Sequence, residues 1–389
     1  MAVLSRSRRP TLALERRRPW PDFVVIFVVA LLGSLGALMV YSSSAPRLEA
    51  LGGDPAELLR RHVLFLALGV VVFILASLRD YRDLRHLAPA IYGLTVLALA
   101  MVLTPLGHFA RGAQRWIEIG ALQLQPSEFA KPALIITLAA VLAPAVQDRV
   151  RWRRVVEVLA LTAVPSLLIF LQPDLGTMLV FGFITLVMLF AAGVTFRQLI
   201  VLLAGGGLGF VVLLRLGLLR TYQVARLTAF LDPAADPTQA GYNQLQSEIA
   251  IGSGQMFGKG LFAGSQTNLA FVPAQTTDFI FTAVGEQLGF VGAALVLAAY
   301  LVVIWRLLAT AAVARDRFGS LVATGAAALI TFHTFVNIGM TLGIMPVTGI
   351  PLPFMSHGGS SMAAMALTLG FAHAVWLRRS PIPGETYIL

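Results

Sequence analysis

The sequence contains no cysteine and little charge. Without cysteine the chain can build no disulfide framework and can use no thiol chemistry. Charged residues make up 12% of its 389 residues, whereas soluble proteins carry roughly 25%. The six histidines are scattered, with none at ligand spacing from another, so we expect no zinc site built by the protein. These shortages argue against a soluble globular protein and favour an integral membrane protein.

Long hydrophobic segments dominate the chain instead. Hydrophobic residues make up 57% of it, and its mean hydropathy is +0.81. A helix of about 20 apolar residues spans a bilayer, and segments of that length lie near 22–43, 62–78, 86–106, 129–146, 155–172, 175–193, 198–218, 279–305, 318–345 and 359–377. Because residues 23–40 are long enough to span, we interpret the first as a retained helix rather than a cleaved signal peptide. The sequence predicts an all-α, polytopic integral membrane protein with about ten transmembrane helices.

The arginines predict how these helices are oriented. They concentrate in alternate connections, beginning with six arginines ahead of the first helix, and short basic connections stay in the cytoplasm. We therefore expect a cytoplasmic tail over 1–21, a ten-helix membrane domain over 22–377 and a cytoplasmic tail over 378–389. The same bias explains the net charge of +10, so we expect no nucleic-acid partner. The connections predicted to face outward are 44–61, 107–128, 172–174, 219–278 and 346–358.

The large predicted extracellular loop, 219–278 between helices 7 and 8, ends in an acid. Loops longer than about fifteen residues are uncommon and usually functional. The stretch Tyr242–Ile251 is predicted as a short amphipathic helix, and apolar residues are predicted to anchor the loop as a cap, namely Leu245, Ile249, Phe257, Leu261, Leu269 and Phe271. Asp278 then stands at the mouth of an apolar helix, where an acid indicates a functional site; the alternative is a helix N-cap.

Further charged residues reach the same predicted end of the bundle. Arg115, Glu128 and Lys131 lie in or beside the second outward connection, and Asp174 lies in the short third one. Glu128 and Lys131 share a helix face, so a local ion pair at a helix that starts with Ser127 as N-cap is the alternative to a functional role. Asp174 has the same N-cap alternative. Because lipid cannot tolerate such a group of charges, we expect them to line an enclosed or water-filled cavity.

Polar residues also occur within and between the predicted helices. Asp278, Thr282 and Glu286 form a stripe at i, i+4 and i+8 that runs inward from the mouth. His333 and Asn337 form an i, i+4 pair, which we interpret as hydrogen bonding between helices. The uncharged stretch 345–361, rich in proline and glycine, is either a substrate cradle made of backbone amides or a rigid re-entrant loop.

Several motifs resemble the SEDS family, whose members include RodA, FtsW and SpoVE. They follow in the family's order over most of 22–377: Arg115-Trp116-Ile117, Gln125-Pro126-Ser127-Glu128, Gln172-Pro173-Asp174-Leu175-Gly176-Thr177, Gly258-Lys259-Gly260, Thr277-Asp278-Phe279, Gly285-Glu286-Gln287, Asn337-Ile338-Gly339-Met340 and Val347-Thr348-Gly349-Ile350-Pro351. The motifs at 258–260 and 347–351 look more like RodA, the elongation member, than like FtsW, the division member.

The resemblance implies a peptidoglycan glycosyltransferase that polymerises lipid II on the outer face of the bacterial cytoplasmic membrane during cell elongation and shape maintenance. It implies as partners a class B penicillin-binding protein and the elongation machinery. It places Asp278 at the family's essential aspartate position. The substrate-binding residues that we expect from it are Arg115, Glu128, Lys131, Asp174, Lys259 and Glu286.

The chain departs from the family pattern at three positions. The family usually has a glutamate and a histidine in the run that leads to the aspartate, where this chain has Ala274 and Thr276. The family's tyrosine before the paired glycines is replaced by His357. Because Asp278 itself is retained, we interpret the missing glutamate as auxiliary.

The charged residues fit the chemistry that such a reaction needs. A carboxylate in a partly desolvated cleft can act as a general base, and we assign that role to Asp278. Arg115 and Lys131, with Arg111 or Arg226 in reserve, are candidates to stabilise the departing pyrophosphate.

Several interpretations stay open at this point. Asp174 and Glu128 are assigned to orienting the lysine and the acceptor sugar, and a magnesium or manganese ion held by Asp278 and substrate phosphates is an alternative. A lipid II flippase would use the same cavity without a base, but it should hold polar residues along the whole path. A division-type polymerase and a non-catalytic scaffold that recruits a transpeptidase are the remaining alternatives.

Overall fold

The structure is a computed structural model that describes residues 20–110, 113–120, 122–144, 150–232 and 240–379. Arg111 and most of the predicted tails over 1–21 and 378–389 lie outside the described residues. In chain order the helices and strands are α1 (Phe23–Ala50), α2 (Glu57–Leu78), α3 (Tyr81–Val102), β1 (His108–Ala110), β2 (Ala113–Ile119), β3 (Leu122–Leu124), α4 (Pro126–Leu142), α5 (Trp152–Leu171), α6 (Leu175–Ala191), α7 (Phe196–Arg215), α8 (Thr221–Leu231), α9 (Ala240–Ser253), α10 (Ser265–Asn268), α11 (Ile280–Val313), α12 (Arg317–Thr341) and α13 (Gly359–Trp376).

The predicted spans coincide with α1 to α7 and α11 to α13. Among the described helices, seven are long and apolar enough to cross a membrane, and α6 is a shorter apolar helix. The prediction of an all-α, polytopic membrane protein is confirmed. α1 continues to Ala50, past its predicted end at 43, and Ser43, Ser44 and Ala45 are buried there.

A three-stranded antiparallel sheet occupies the connection 107–128, which was predicted as a loop. In its register Trp116 pairs with His108, and Ile117 pairs with Leu124. Strands of three residues are too short to show a period-2 pattern, which is why the sequence did not reveal them. The central strand β2 carries Arg115 to the end of the bundle where α4 begins.

α12 lies at the centre of the bundle. In its most apolar 18-residue window 83% of the residues are buried, against 6% for α7, which lies at the periphery. Gly325 allows this close packing, because a Cβ there would lie 2.5 Å from Ile135 of α4 and 3.1 Å from Met188 of α6. A central helix can place polar side chains only against other protein groups, which matters for His333 and Asn337 below.

α11 is broken at Gly289, where φ is 65° and ψ is −164°. The break frees backbone groups, and the segment 255–260 binds them: Phe290 N–H donates to the Gln255 carbonyl at 2.8 Å, and Lys259 N–H donates to the Glu286 carbonyl at 3.0 Å. Non-helical backbone is tolerated in a spanning helix when neighbouring groups satisfy it in this way. The break separates a short segment, which follows Asp278, from the rest of α11.

The large loop folds as helices, including α9, which confirms the helix predicted over Tyr242–Ile251. The six apolar side chains predicted to anchor the loop are 41–81% exposed, so they do not pack against the bundle, and their contact with the membrane surface stays a prediction. The apolar contacts of this region are made instead by Ala250, Val272 and Phe279, packed with Met340 and Val347. Those residues lie where the chain returns to the bundle, so packing is concentrated close to the turn that carries Asp278.

Candidate active site

A cavity of about 250 Å³ lies where α4, α6 and α13 begin, beside the end of the large loop. α4 and α13 start there without a side-chain cap, so their positive ends contribute to the potential at the cavity. The structure brings together in its lining five predicted site residues: Arg115, Glu128, Lys131, Asp174 and Asp278. Further lining comes from Arg226, His357 and residues 348–351 and 358–361.

Glu128 and Lys131 form a buried ion pair at the start of α4. Lys131 Nζ lies 2.6 Å from Glu128 Oε1, and both residues are almost fully buried. α4 begins at Pro126, which suits the first helical position, so its N-cap is Gln125. The prediction of Ser127 as the N-cap was therefore wrong by two positions. Within the described part of the chain, Glu128 Oε2 is buried and accepts no hydrogen bond, while the residue lies in the lining of the cavity.

His333 holds the same lysine from α12. Its Nδ1 lies 3.0 Å from the Pro351 carbonyl oxygen, and its Nε2 lies 3.2 Å from Lys131 Nζ. A carbonyl oxygen only accepts and an ammonium only donates, so Nδ1 carries the proton and Nε2 accepts. His333 is therefore neutral, and it directs the Lys131 ammonium toward the cavity.

Asp174 is both a helix cap and a cavity residue. Its Oδ1 accepts the Thr177 N–H at 3.1 Å, which makes it the N-cap of α6, as the local alternative predicted. Arg115 lies beside it, with Nη1 3.9 Å from Asp174 Oδ2, and donates to the carbonyls of Gln172 and Pro173. Arg115 thereby ties β2 to the turn that carries Asp174.

Two backbone hydrogen bonds help to position Asp278. Its N–H donates to the Ala274 carbonyl at 3.0 Å, and its carbonyl accepts from Asn337 Nδ2 at 2.7 Å. The N-cap of α11 is Phe279, so the alternative of Asp278 as a helix cap was wrong. The carboxylate faces Gly349, where a Cβ would lie 3.4 Å from Asp278 Oδ2.

Arg226, which sequence reasoning named only as a reserve, reaches the same place from α8. A Cβ on Gly349 would lie 3.9 Å from Arg226 Nη1 as well as 3.4 Å from Asp278 Oδ2, so the guanidinium and the carboxylate face the same space. Arg226 donates to the Thr348 carbonyl at 3.3 Å, and its guanidinium lies over the Tyr222 ring at 5.6 Å. Its position in a long loop carried no signal of this proximity, because the loop's path depends on tertiary packing.

Lys259 and Glu286 do not line the cavity. Glu286 is fully buried, and its carboxylate accepts from Lys259 Nζ at 3.0 Å and from the N–H groups of Gln266 and Thr267 at 2.9 Å each. The pair thus fastens the segment 259–267 to α11. Their contact with substrate stays a prediction that nothing in this geometry supports.

The three departures from the family pattern all lie around the Asp278 turn. The Ala274 carbonyl accepts the N–H groups of Thr277, Asp278 and Phe279, so residue 274 contributes to the turn through its backbone. The His357 N–H donates to the Thr276 carbonyl at 2.9 Å. The His357 ring packs against those of His62 and Phe65, with centroids 5.7 and 5.5 Å away.

The acids of the cavity do not form a metal cage by themselves. Among the described residues no group of three or more histidine, aspartate or glutamate side chains is close enough to hold an ion. A divalent cation at Asp278 would therefore need substrate phosphates as additional ligands, which is how magnesium is commonly held.

Comparison with known proteins agrees with the motifs. A family model described as cell cycle protein, for FtsW, RodA and SpoVE, matches residues 22–379. Stage V sporulation protein E of Bacillus subtilis is 36% identical over 359 residues, which cover 92% of this chain and 97% of that protein. Peptidoglycan glycosyltransferase MrdB of Escherichia coli is 36% identical over 351 residues, which cover 88% of this chain and 91% of that protein.

A solved structure is similar as well. It is a chain from a study of how a peptidoglycan synthase complex coordinates polymerization and crosslinking, with a TM-score of 0.77 and 33% identity. The match covers 92% of this chain and 98% of that chain. Since the family model spans nearly the whole described bundle, the chain belongs to the FtsW, RodA and SpoVE family, the SEDS family.

Proposed function

We propose that this protein is a peptidoglycan glycosyltransferase that polymerises lipid II, with Asp278 as its general base. The observation that carries the proposal is one cavity that holds a carboxylate, Asp278, together with three basic side chains, Arg115, Lys131 and Arg226. Relatives that share about a third of its sequence are named peptidoglycan glycosyltransferases, which supports the same reaction here.

The reaction needs a base on one side of the bond and cations on the other. Asp278 takes the proton from the 4-hydroxyl of the acceptor sugar while that hydroxyl oxygen attacks the anomeric carbon of the donor. The bond from that carbon to the phosphate oxygen breaks, and the lipid diphosphate leaves with the bonding electrons. Lys131 and Arg226 neutralise that charge, assisted by the uncapped helix starts of α4 and α13.

The remaining acids and Arg115 hold these groups in place. Arg115 is occupied by the carbonyls of Gln172 and Pro173, so it fixes the turn and faces the diphosphate with its remaining donors. Glu128 orients Lys131 and, through Oε2, accepts from a sugar hydroxyl. Asp174, which is the N-cap of α6, faces the acceptor sugar.

The cellular setting follows from the same proposal. The protein lies in the bacterial cytoplasmic membrane with both termini inside and the cavity on the outer face, as the arginine distribution predicts. It works with a class B penicillin-binding protein, which the similarity to a chain of a peptidoglycan synthase complex supports. The role in elongation and cell shape rests on the motifs at 258–260 and 347–351, and a division-type polymerase is the alternative.

A lipid II flippase is less well supported. One and two turns beyond Lys131 along α4, Ile135 and Leu138 are buried in the hydrophobic core. A flippase needs polar groups along the whole path of the headgroup, and at this depth α4 offers only the Thr137 hydroxyl, which donates to the Ala133 carbonyl of its own helix.

Polymerisation of labelled lipid II by the purified protein, with and without its cognate transpeptidase, tests the proposal. We expect polymer from the wild type and from Glu57→Gln, a control in an exposed ion pair outside the cavity, but none from Asp278→Asn or Asp278→Ala. Melting temperatures must show that each variant is folded. Substantial polymer from Asp278→Ala would overturn the assignment of the base, and movement of lipid II across vesicles without polymer would favour the flippase.

Removal of divalent cations tests the alternative at Asp278. If a magnesium or manganese ion joins Asp278 to the substrate phosphates, EDTA abolishes polymerisation and either ion restores it. Unchanged activity in EDTA means that the basic side chains alone stabilise the diphosphate.

A further inference from the structure

Two buried polar residues of α12, His333 and Asn337, contact the candidate catalytic groups without lining the cavity. Both are fully buried and lie four residues apart, so they share one face of the helix. From sequence they were interpreted as hydrogen bonds between helices. The structure shows which atoms they bind, and those atoms belong to the site.

His333 joins Lys131 to the backbone. Its Nδ1 donates to the Pro351 carbonyl, and its Nε2 accepts from the Lys131 ammonium. The imidazole is therefore a rigid spacer between a fixed carbonyl and the candidate cation. Of the three N–H donors of Lys131, one goes to His333 and one to Glu128, so the direction of the third is set.

Asn337 joins Asp278 to the same stretch of backbone. Its Nδ2 lies 2.7 Å from the Asp278 carbonyl oxygen and 2.7 Å from the Ile350 carbonyl oxygen. Both partners only accept, so the atom between them must be the amide nitrogen, and both of its hydrogens are used. The link therefore depends on an amide: a residue of the same size without two N–H donors cannot make it.

The two links meet at adjacent carbonyls, those of Ile350 and Pro351. We infer that His333 and Asn337 are positioning residues that form one clamp, which sets the distance and direction between the Lys131 ammonium and the Asp278 carboxylate. The inference rests on the proposed function, since it concerns the base and the cation of that reaction. The stretch 345–361 supplies the two carbonyls that are the common reference for both groups.

A clamp of this kind affects the reaction more than it affects binding. Misplacing a reacting group by about 1 Å can cost on the order of 100-fold in rate. We expect Asn337→Leu to lower kcat for lipid II polymerisation by roughly 10- to 100-fold with little change in KM, because the base is displaced. We expect His333→Phe to lower kcat and also raise KM, because Lys131 contacts the diphosphate in the ground state too.

The structure offers a matched control on the same helix. Thr334 is buried next to His333, and among the described residues its hydroxyl oxygen has no hydrogen-bond partner. Thr334→Val changes a buried polar group of α12 but breaks no link to the site, so we expect its kcat and KM to match those of the wild type. His333→Gln, which can still accept from Lys131, should recover part of the activity that His333→Phe loses.

The experiment is a kinetic comparison of these variants, each checked for folding by its melting temperature. If the two residues act as one unit, the double variant His333→Phe/Asn337→Leu loses much less than the product of the single losses. Independent losses that multiply, or single variants with kcat within twofold of the wild type, would overturn the clamp. Where Asn337→Leu does not fold, the smaller Asn337→Ser removes the amide instead. A wild type that makes no polymer would refute the proposed function itself, which is a separate outcome.

Discussion

Glu286 holds Thr267 at two points: its Oε2 accepts the Thr267 N–H at 2.9 Å and the Thr267 hydroxyl at 2.7 Å. The same hydroxyl oxygen accepts from Gln275 Nε2 at 3.1 Å, and Gln275 lies three residues before Asp278. A buried acid on α11 is thereby connected to the turn of the candidate base. Glu286 and Thr267 lie outside the lining of the cavity, and we expect their hydrogen bonds to contribute to the stability of the fold.

Glu286→Ala should loosen the large loop. It removes a buried carboxylate that accepts several hydrogen bonds, and bonds to charged groups are each worth roughly 1.5–3 kcal/mol, so we expect a loss on the order of 3 kcal/mol. A lower melting temperature and faster proteolysis within 255–268 would show it. The Lys259 side chain is partly exposed, so we expect Lys259→Met to lose less stability than Glu286→Ala. Equal melting temperatures for Glu286→Ala and the wild type would contradict this account.

The Glu128 and Lys131 pair should show separate structural and functional effects. Removing one partner leaves a buried charge alone, so Lys131→Met and Glu128→Gln should each cost about 3–5 kcal/mol. The double variant has no buried charge and should regain most of the stability while remaining inactive. We would measure melting temperature and polymerisation in parallel. An active double variant would mean that the pair serves only the fold.

Gly289→Ala should prevent the segment 255–260 from binding the break in α11. Its φ of 65° disfavours any side chain, and a Cβ would lie 2.3 Å from Gly258 N, so we expect a loss of roughly 3 kcal/mol or more. Gly206→Ala is the matched control, because a Cβ on this α7 glycine meets no atom within 4 Å and should change stability by less than about 1 kcal/mol. Thermal unfolding in detergent distinguishes the two, and similar effects would refute the close approach at Gly289.

Asp316, the N-cap of α12, should make stability depend on pH. Burial raises its pKa, but hydrogen bonds from the Tyr81 hydroxyl, the Gly319 N–H and Arg82 outweigh burial, so the pKa is lowered from 3.8. A lowered folded-state pKa means that the contribution is present above the unfolded value of 3.8 and is lost as the pH falls through the folded value. Asp316→Asn should melt below the wild type at pH 7, and the difference should shrink below pH 3.8. A constant difference across that range would contradict the prediction.

Restoring the family's glutamate should change little. Residue 274 contributes to the Asp278 turn through its backbone carbonyl, a group that every amino acid has. We therefore expect Ala274→Glu to keep the polymerisation rate within about threefold of the wild type, less than ~1 kcal/mol of barrier. Ala274 has a φ of 53°, which glycine adopts without strain, so Ala274→Gly is the control for backbone strain. A tenfold gain in rate would show that the missing glutamate is more than auxiliary.

The part of the fold that depends on hydropathy could be predicted from the sequence. Ten apolar segments predicted ten helices at the right places, because a bilayer requires a run of apolar residues whatever surrounds it. The sheet around β2 was missed because its partner strands β1 and β3 have three residues each and are too short for a pattern. Helix starts were less certain: Asp174 is an N-cap as predicted, whereas Ser127 and Asp278 are not, because capping depends on local backbone angles that side-chain type does not settle.

By itself, the sequence determined that the chain is a membrane bundle and that acids and basic residues collect at one end of it. Hydropathy and charge act locally, so each segment carries that information independently. Only the tertiary structure decided what each polar group faces. Lys131 meets His333 from 202 positions away and Asn337 meets Asp278 from 59, while Glu286 turns to the loop instead of the cavity. Such contacts depend on how each helix is rotated and packed against its neighbours, and no local pattern encodes that rotation.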